Sequence, residues 1–127
     1  MSEYTFHKTE RLCSRTLIAR LFAGGSKSMP AFPLRIVYLP VEGDCLPTLS
    51  VLFSVPKKRF KRAVKRNRVK RQLREAYRLH RDVLAEPLQQ TNRKLLLAFI
   101  WLDNELHPTH EVEEKVKKLL QLTAERL

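Results

Sequence analysis

The chain has 127 residues, 43% of them hydrophobic, and its 25 Lys or Arg against 13 Asp or Glu give a net charge of +12. This length allows one domain with a modest core and excludes two. The charge favours a polyanionic partner, because neutralising phosphates releases condensed counterions. The longest apolar run, Leu95 to Leu102, has only the length of a strand, which excludes a membrane-spanning helix.

The N-terminal segment has neither the basic nor the apolar region of a secretion signal, so we expect a cytoplasmic protein. Residues 7–23 place apolar side chains at helical intervals and end at Gly24-Gly25, which predicts a first amphipathic helix. Cys13 and Cys45 are far apart in sequence and outside any Cys-x-x-Cys spacing. We therefore expect two free thiols in a reducing compartment.

Two strands are predicted next. Residues 33–39 are strand-like, and residues 49–55 alternate Leu49, Val51, Phe53 and Val55 with other side chains. The segment 40–47 between them has the composition of a turn, which predicts that the two strands form a hairpin. Pro56 is expected to end the second strand.

The second half of the chain predicts a long helix over residues 63–81, a strand buried on both faces over residues 95–101, and a last helix from Thr109 to the end. The order α-β-β-α-β-α contains no repeat and no low-complexity linker. We therefore predict an α+β fold, a single domain over residues 1–127 with a small mixed sheet on which the helices pack.

The positive charge is concentrated in one part of the chain. Residues 57–81 hold 13 Lys or Arg and one acid, Glu75, so this window carries the whole net charge. One side of the long helix is apolar and is predicted to pack on the sheet: Val69, Leu73, Ala76, Tyr77 and His80. The other side is predicted to lie along a phosphate backbone: Asn67, Lys70, Arg71, Arg74 and Arg78.

A solvated helix face is the alternative explanation of this charge. Such faces normally mix signs, whereas this one has a single acid, so an ordered nucleic-acid-binding helix is the better interpretation. Asn67 has two interpretations, because its amide could read a base edge or a ribose hydroxyl, or could cap the helix. Glu75 lies within reach of helical ion pairs with Arg71 and Arg78.

Two segments, Phe53–Lys58 and Arg62–Ala76, resemble the protein component of bacterial ribonuclease P, whose hallmark is an Arg-Asn-Arg centre, here Arg66-Asn67-Arg68. The resemblance is dense over residues 53–78 and weaker elsewhere. It implies a ribosomal protein S5 domain 2-like fold with a left-handed βαβ crossover.

Four residues depart from the family pattern, and one of them, Ile18, stands where an aromatic residue of the leader cleft is common. Pro56 replaces a common Ser, and Arg59-Phe60 replaces a small hydrophobic residue and Gly. We therefore expect a different turn into the long helix and a pocket that accommodates Phe60.

The resemblance implies an endoribonuclease holoenzyme in which an RNA subunit cleaves precursor tRNA at the mature 5′ end with bound Mg²⁺ ions. This chain would be the non-catalytic accessory subunit, which binds the catalytic RNA and the 5′ leader and broadens substrate recognition, with no membrane or DNA partner. The implied RNA-binding residues are Lys57, Lys58, Arg62, Lys65, Arg66, Asn67, Arg68, Lys70, Arg71 and Arg74. The leader would lie in a cleft between the sheet and the first helix, with Phe22, Tyr38 and Phe53 lining it.

Other chemistry has weaker support in the sequence. His107, His110, Glu111 and Glu114 have helical spacings that could gather a metal, but Pro108 and these acids suit the first turn of a helix better. No zinc spacing, phosphate-binding glycine loop or nucleophile elbow is present, so we expect no catalytic residue and no metal site. The alternative functions are a structural RNA-binding protein, a DNA-binding regulator with paired half-sites, and an autonomous nuclease.

Overall fold

The structure of the chain, a computed structural model, describes residues 15–42 and 48–127. Its elements are α1 (Arg15–Phe22), β1 (Lys27–Ala31), β2 (Leu34–Val41), β3 (Leu49–Ser54), α2 (Ala63–His80), α3 (Asp82–Gln90), β4 (Lys94–Trp101) and α4 (Thr109–Arg126). Four helices and one four-stranded mixed sheet confirm the predicted α+β class. None of the described helices is both long enough and apolar enough to cross a membrane.

Some of the predictions fall outside the described residues. These are the two thiols of Cys13 and Cys45, the first half of the predicted N-terminal helix, and most of the predicted turn over residues 40–47. The part of that first helix that is described, α1, ends just before Gly24 and Gly25, both of which have positive φ. The glycines therefore stop the helix in the predicted place, because their backbone adopts the left-handed region without a steric penalty.

β4 is an interior strand of the sheet, whose order is β1-β2-β4-β3. It runs antiparallel to β2 and parallel to β3, and five consecutive residues, Leu95–Phe99, are buried. This confirms the prediction of a strand covered on both faces. The parallel neighbours β3 and β4 are joined through α2 and α3, so the basic helix lies within the crossover connection.

The predicted hairpin between residues 33–39 and 49–55 is wrong. β4 lies between β2 and β3, and β2 pairs with it along its whole length, from Leu34 opposite Trp101 to Val41 opposite Lys94. The hairpin in the structure joins β1 to β2. Turn composition reports only local geometry, whereas the apolar β4 requires a partner strand on each side.

The sequence patterns do not predict β1 and α3, and both elements contain proline. Pro30 lies in β1, an edge strand, where a residue without an N–H donor is tolerated. Pro87 lies inside α3, where proline ordinarily interrupts a helix. α3 nevertheless forms and buries Leu84, Ala85 and Leu88.

The sheet separates two apolar clusters. The larger lies between the sheet and the helices α2, α3 and α4, and Trp101, Phe99 and Tyr77 are fully buried in it. The smaller lies under α1 and contains Leu21, Val37, Val41, Leu96 and Ala98. Because residues two apart in a strand share a face, α1 and α2 cover opposite faces of the sheet.

Candidate nucleic-acid interface

The inner side of α2 is apolar, as predicted. Val69, Leu73, Ala76 and Tyr77 are buried in the larger cluster. His80, predicted on the same side, is half-buried, and its Nε2 lies 2.9 Å from Oε1 of Glu113 in α4. The packing fixes the rotation of the helix, so it also fixes the direction in which the other side points.

A buried amide attaches α2 to the start of α4. Gln72 is 7% exposed, and its Nε2 donates to the backbone carbonyl of His107 and to Oγ1 of Thr109, both at 3.1 Å. These two hydrogen bonds satisfy the buried Nε2, which would otherwise be costly to bury, whereas Oε1 has no hydrogen-bond partner among the described residues. These directional hydrogen bonds fix the position of α2 more specifically than apolar packing alone would.

The outer side of α2 and the loop before it carry the positive charge. From Lys57 to Arg74 the chain contains eleven Lys or Arg and no acid. On the outer side of the helix Asn67, Arg71 and Arg74 are exposed and Lys70 is half-exposed. Among the described residues, no ion pair neutralises any of the eleven cations. We call this segment, residues 57–74, the basic surface.

The start of α2 is electrostatically unfavourable for a helix. Its N-cap residue, Arg62, makes no side-chain capping hydrogen bond, and the first turn contains no acid. Cations at a helix N-terminus oppose the helix dipole, which costs roughly 0.3–1 kcal/mol each at exposed positions. Asn67 lies inside the helix, so the interpretation of this residue as the cap is wrong.

Glu75 marks the end of the basic surface. Arg78 donates from Nε to Oε2 of Glu75 at 3.1 Å and from Nη2 to Oε1, and these hydrogen bonds lower the pKa of Glu75. The ion pair therefore forms with Arg78, one of the two predicted partners. The carboxylate of Glu75 offsets the charge of Arg78, so Arg74 is the last cation of α2 that has no ion pair within the described residues.

The loop between β3 and α2 is held by three sets of contacts. Phe60 is 5% exposed, so the expected pocket is present. Nη1 of Arg59 donates to Oδ1 of Asn104 at 3.4 Å. Nη1 of Arg66 donates to the carbonyl oxygens of Phe60 and Lys61, at 2.7 and 3.0 Å. The exposed Lys57 and Lys58 therefore project from an ordered loop.

A second positive surface lies on the α1 side of the sheet. A cleft of about 850 Å³ opens there, lined by Arg20, Pro40, Val41, Glu42, Thr91, Asn92, Arg93 and Lys94. Three cations face a single acid in this cleft. The sequence pattern contains no signal for it, because its residues come from three separate segments that only the folded chain brings together.

The chain is similar to known proteins over most of its length. Residues 6–123 match the family model described as Ribonuclease P. Over 113 residues the chain is 43% identical to the Ribonuclease P protein component of Porphyromonas gingivalis, which covers 89% of this chain and 82% of that protein. The chain belongs to the ribonuclease P protein family. It is also 38% identical over 93 residues to the corresponding protein of Chlorobaculum tepidum, covering 68% of this chain and 60% of that one.

Solved structures of the ribonuclease P protein share the fold. The Staphylococcus aureus protein matches with a TM-score of 0.69 at 16% identity, over 90% of this chain and 94% of its own. The Thermotoga maritima protein matches with a TM-score of 0.69 at 21% identity, over 89% and 96%. As a member of this family the chain is part of the ribonuclease P holoenzyme, which cleaves tRNA precursors and contains a catalytic RNA.

Two residues predicted for the leader cleft of this ribonuclease P protein lie on the other face of the sheet. Tyr38 is 1% exposed in the larger cluster. Phe53 stacks on Phe99 with ring centroids 5.8 Å apart and meets Tyr77 edge-on. The expectation that Tyr38 and Phe53 face the first helix is therefore wrong, because strand alternation directs their neighbours Val37 and Leu52 to that side.

Phe22, the third residue predicted for that cleft, is 47% exposed at the end of α1. It does not line the cleft described above. Each residue of a helix turns by about 100°, so Arg20 and Phe22 lie about 100° to either side of the buried Leu21 and therefore on opposite sides of α1. A contact of Phe22 with the leader stays a prediction.

His107 has protein partners on both ring nitrogens. Its Nε2 lies 2.6 Å from Oδ2 of Asp103, and its Nδ1 lies 3.2 Å from Oε2 of Glu111. The hydrogen bond with Asp103, and to a lesser degree the one with Glu111, raises the pKa of His107. The hydrogen bond with His107 in turn lowers the pKa of Asp103. Within residues 15–42 and 48–127 no three or more His, Cys, Asp and Glu side chains are grouped so as to hold a metal ion.

Proposed function

We propose that this chain assists the catalytic RNA of ribonuclease P by binding both that RNA and the single-stranded 5′ leader of precursor tRNA. The basic surface is the observation that carries the proposal. Its proposed contacts with the catalytic RNA are Lys57, Lys58, Arg62, Lys65, Asn67, Arg68, Lys70, Arg71 and Arg74. The remaining predicted residue, Arg66, is treated separately below. We place this complex in the cytoplasm, where precursor tRNA is made.

The physical basis of this binding is a cationic surface that is ordered before RNA arrives. α2 is docked through its apolar side, so little backbone conformational entropy remains to be lost when phosphates bind. Guanidinium groups can donate two hydrogen bonds to one phosphate, and each neutralised phosphate releases condensed counterions. Asn67 offers both a donor and an acceptor among the cations and is suited to a base edge or a ribose hydroxyl.

For the leader we propose the α1 side of the sheet. Arg20, Arg93 and Lys94 in the cleft would follow the phosphates of a single strand, while the exposed ring of Phe22 would stack on a base beyond α1. α1 and α2 cover opposite faces of the sheet, so the leader and the catalytic RNA would not compete for one surface. The chain would thereby hold the substrate against the catalytic RNA and extend recognition beyond the tRNA body.

We assign the Mg²⁺ ions of the reaction mainly to the RNA subunit, whose phosphate oxygens are hard ligands of the kind that Mg²⁺ prefers. When bound, these ions supply the activation of water and the stabilisation of charge at the scissile phosphate. The protein residues supply binding and orientation. By neutralising phosphates they lower the repulsion between RNA segments, so less Mg²⁺ is needed to hold the complex together.

The test is cleavage of a 5′-labelled precursor tRNA by the cognate catalytic RNA at limiting Mg²⁺, with and without this chain. We expect the wild type to stimulate cleavage at the mature 5′ end, and an Arg71→Ala/Arg74→Ala variant to stimulate it less. The matched control is Lys117→Ala/Lys118→Ala, which removes two exposed cations from α4 and should stimulate like the wild type.

The leader is tested in the same assay with substrates that carry a long leader or a single-nucleotide leader. An Arg93→Ala/Lys94→Ala variant should lose the preference for the long leader and keep its affinity for the catalytic RNA. A folded wild type that binds RNA but never stimulates cleavage would point to a structural RNA-binding protein. Cleavage by the protein without any RNA subunit would point to an autonomous nuclease.

A further inference from the structure

The two arginines of the Arg-Asn-Arg segment have different surroundings. Arg68 is exposed, whereas Arg66 is half-buried and hydrogen-bonded to the backbone of the preceding loop. We propose that Arg66 is a positioning residue: it holds the loop of residues 57–62 in the conformation that presents Lys57 and Lys58 to the catalytic RNA, and it does not itself bind a phosphate. This proposal rests on the proposed function of the basic surface.

The direction of Arg66 follows from helix geometry. At about 100° per residue, Arg66 lies about 60° from the buried Val69 and on the same side of α2, while Arg71 and Arg74 lie on the outer side. Its side chain turns back toward the loop, where Nη1 meets the carbonyls of Phe60 and Lys61. Both hydrogens of that nitrogen are thereby used, and charge-assisted hydrogen bonds of this type are among the stronger ones.

The loop needs such a contact because it is strongly self-repelling. Five of its six residues are Lys or Arg, and only Phe60 is buried. Arg59 attaches the middle of the loop to Asn104, and Arg66 attaches its end to α2. Without Arg66 the loop would become ordered only upon binding, and the lost entropy would reduce the affinity for RNA.

A double-mutant cycle on the whole chain separates positioning from contact. Affinity for the cognate catalytic RNA is measured over a series of salt concentrations for Arg66→Ala, for Lys57→Ala/Lys58→Ala and for the combined variant. Positioning predicts that Arg66→Ala weakens binding about tenfold with the loop lysines present but less than about twofold without them. Arg68→Ala, the matched control, should weaken binding by the same factor in both backgrounds and lower the salt slope by about one.

A second readout uses the protein without RNA. Amide hydrogen exchange in residues 57–62 should accelerate in Arg66→Ala and stay unchanged in Arg68→Ala. Arg66 is hydrogen-bonded to two loop carbonyls, whereas no hydrogen bond joins Arg68 to the loop among the described residues. If Arg66→Ala does not fold, Arg66→Lys replaces it: the charge is kept but the two-hydrogen fork of Nη1 is lost. Positioning predicts that Arg66→Lys still weakens binding in the presence of the loop lysines.

The proposal is overturned if the effects of Arg66→Ala and the loop substitutions are additive, with a salt slope reduced by about one. Full affinity of Arg66→Lys despite accelerated amide exchange in the loop would also overturn it. In both cases Arg66 would be a direct phosphate contact. Failure of the proposed function looks different, because the wild type itself would then neither bind the catalytic RNA nor stimulate cleavage.

Discussion

α2 and α4 have the same length and opposite surface character. Each has 18 residues and five buried side chains, and the two helices pack against each other on one face of the sheet. α2 carries seven Lys or Arg and one acid, whereas α4 carries four of each. Since both helices meet similar packing requirements, the charge of α2 is not a requirement of the fold. It reports on a partner outside the chain.

The largest expected effect is the loss of stability when the buried, apolar side of either helix is altered. Leu73 in α2 and Leu119 in α4 are both fully buried, so Leu73→Ala and Leu119→Ala should each lower the free energy of unfolding by about 2–5 kcal/mol. Val64→Ala, at a position 79% exposed, should change it by less than about 0.5 kcal/mol. Urea unfolding of the wild type and of the three variants measures these changes in the free energy of unfolding. A large effect at only one of the two leucines would contradict the equivalence of the inner sides.

The second-largest expected effect is on RNA binding, and it distinguishes the exposed side of α2 from that of α4. Arg71→Ala/Arg74→Ala should weaken binding to the catalytic RNA by about ten- to a hundredfold and lower the salt slope by about two, because two phosphate contacts are lost. Lys117→Ala/Lys118→Ala removes the same charge from α4 and should have little effect. Filter binding at several salt concentrations measures both variants. Equal losses would mean that net charge alone determines binding.

A smaller effect concerns the free protein. Repulsion among the cations of the basic surface is relieved by bound anions, so sulfate should raise the unfolding midpoint of the wild type more than that of Arg71→Ala/Arg74→Ala. The difference between the two proteins matters, because sulfate stabilises most proteins by exclusion from their surface. Thermal unfolding in sulfate and in chloride at matched ionic strength measures this difference. An identical shift in the two proteins would show that the repulsion is negligible.

The smallest effect is a pH dependence at the start of α4. Asp103 and Glu111 raise the pKa of His107 above its unfolded value of about 6.5. The interaction of protonated His107 with these acids therefore contributes its full stabilisation below that pH. The stabilisation is lost as the pH rises through the raised folded pKa. The difference in unfolding midpoint between the wild type and His107→Gln should therefore shrink as the pH is raised above about 6.5. A difference that grows over this range would contradict the assignment.

The sequence predicted the features that depend on local periodicity. The boundaries of α2, its buried Leu73 and its exposed Arg71 and Arg74 follow from a 3.6-residue repeat, and the structure confirms them. The pairing of β2 with β4 depends on contacts distant in sequence, so the hairpin prediction was wrong. Strand alternation shows that Tyr38 and Val37 face opposite sides, but it does not say which side α1 covers.

The role of Arg66 is a further property that no local pattern contains. In sequence it is one cation among eleven between Lys57 and Arg74. Its contacts depend on the path of the loop, which the burial of Phe60 determines. The sequence signal that was available is the departure from the family pattern at Arg59-Phe60. That departure led to the expectation of a different turn into α2, which stays a prediction, and Arg66 is hydrogen-bonded to the end of this loop.

The parallel pairing of β3 with β4 has a consequence for folding kinetics. These strands are neighbours in the sheet, yet residues 55–93, which include α2, separate them in the chain. β3 and β4 can pair only after the most charged part of the chain has been compacted, and such non-local pairing is intrinsically slow. Counterions should therefore accelerate folding as well as stabilise the product, and an RNA present during synthesis would act as a template for the chain that binds it.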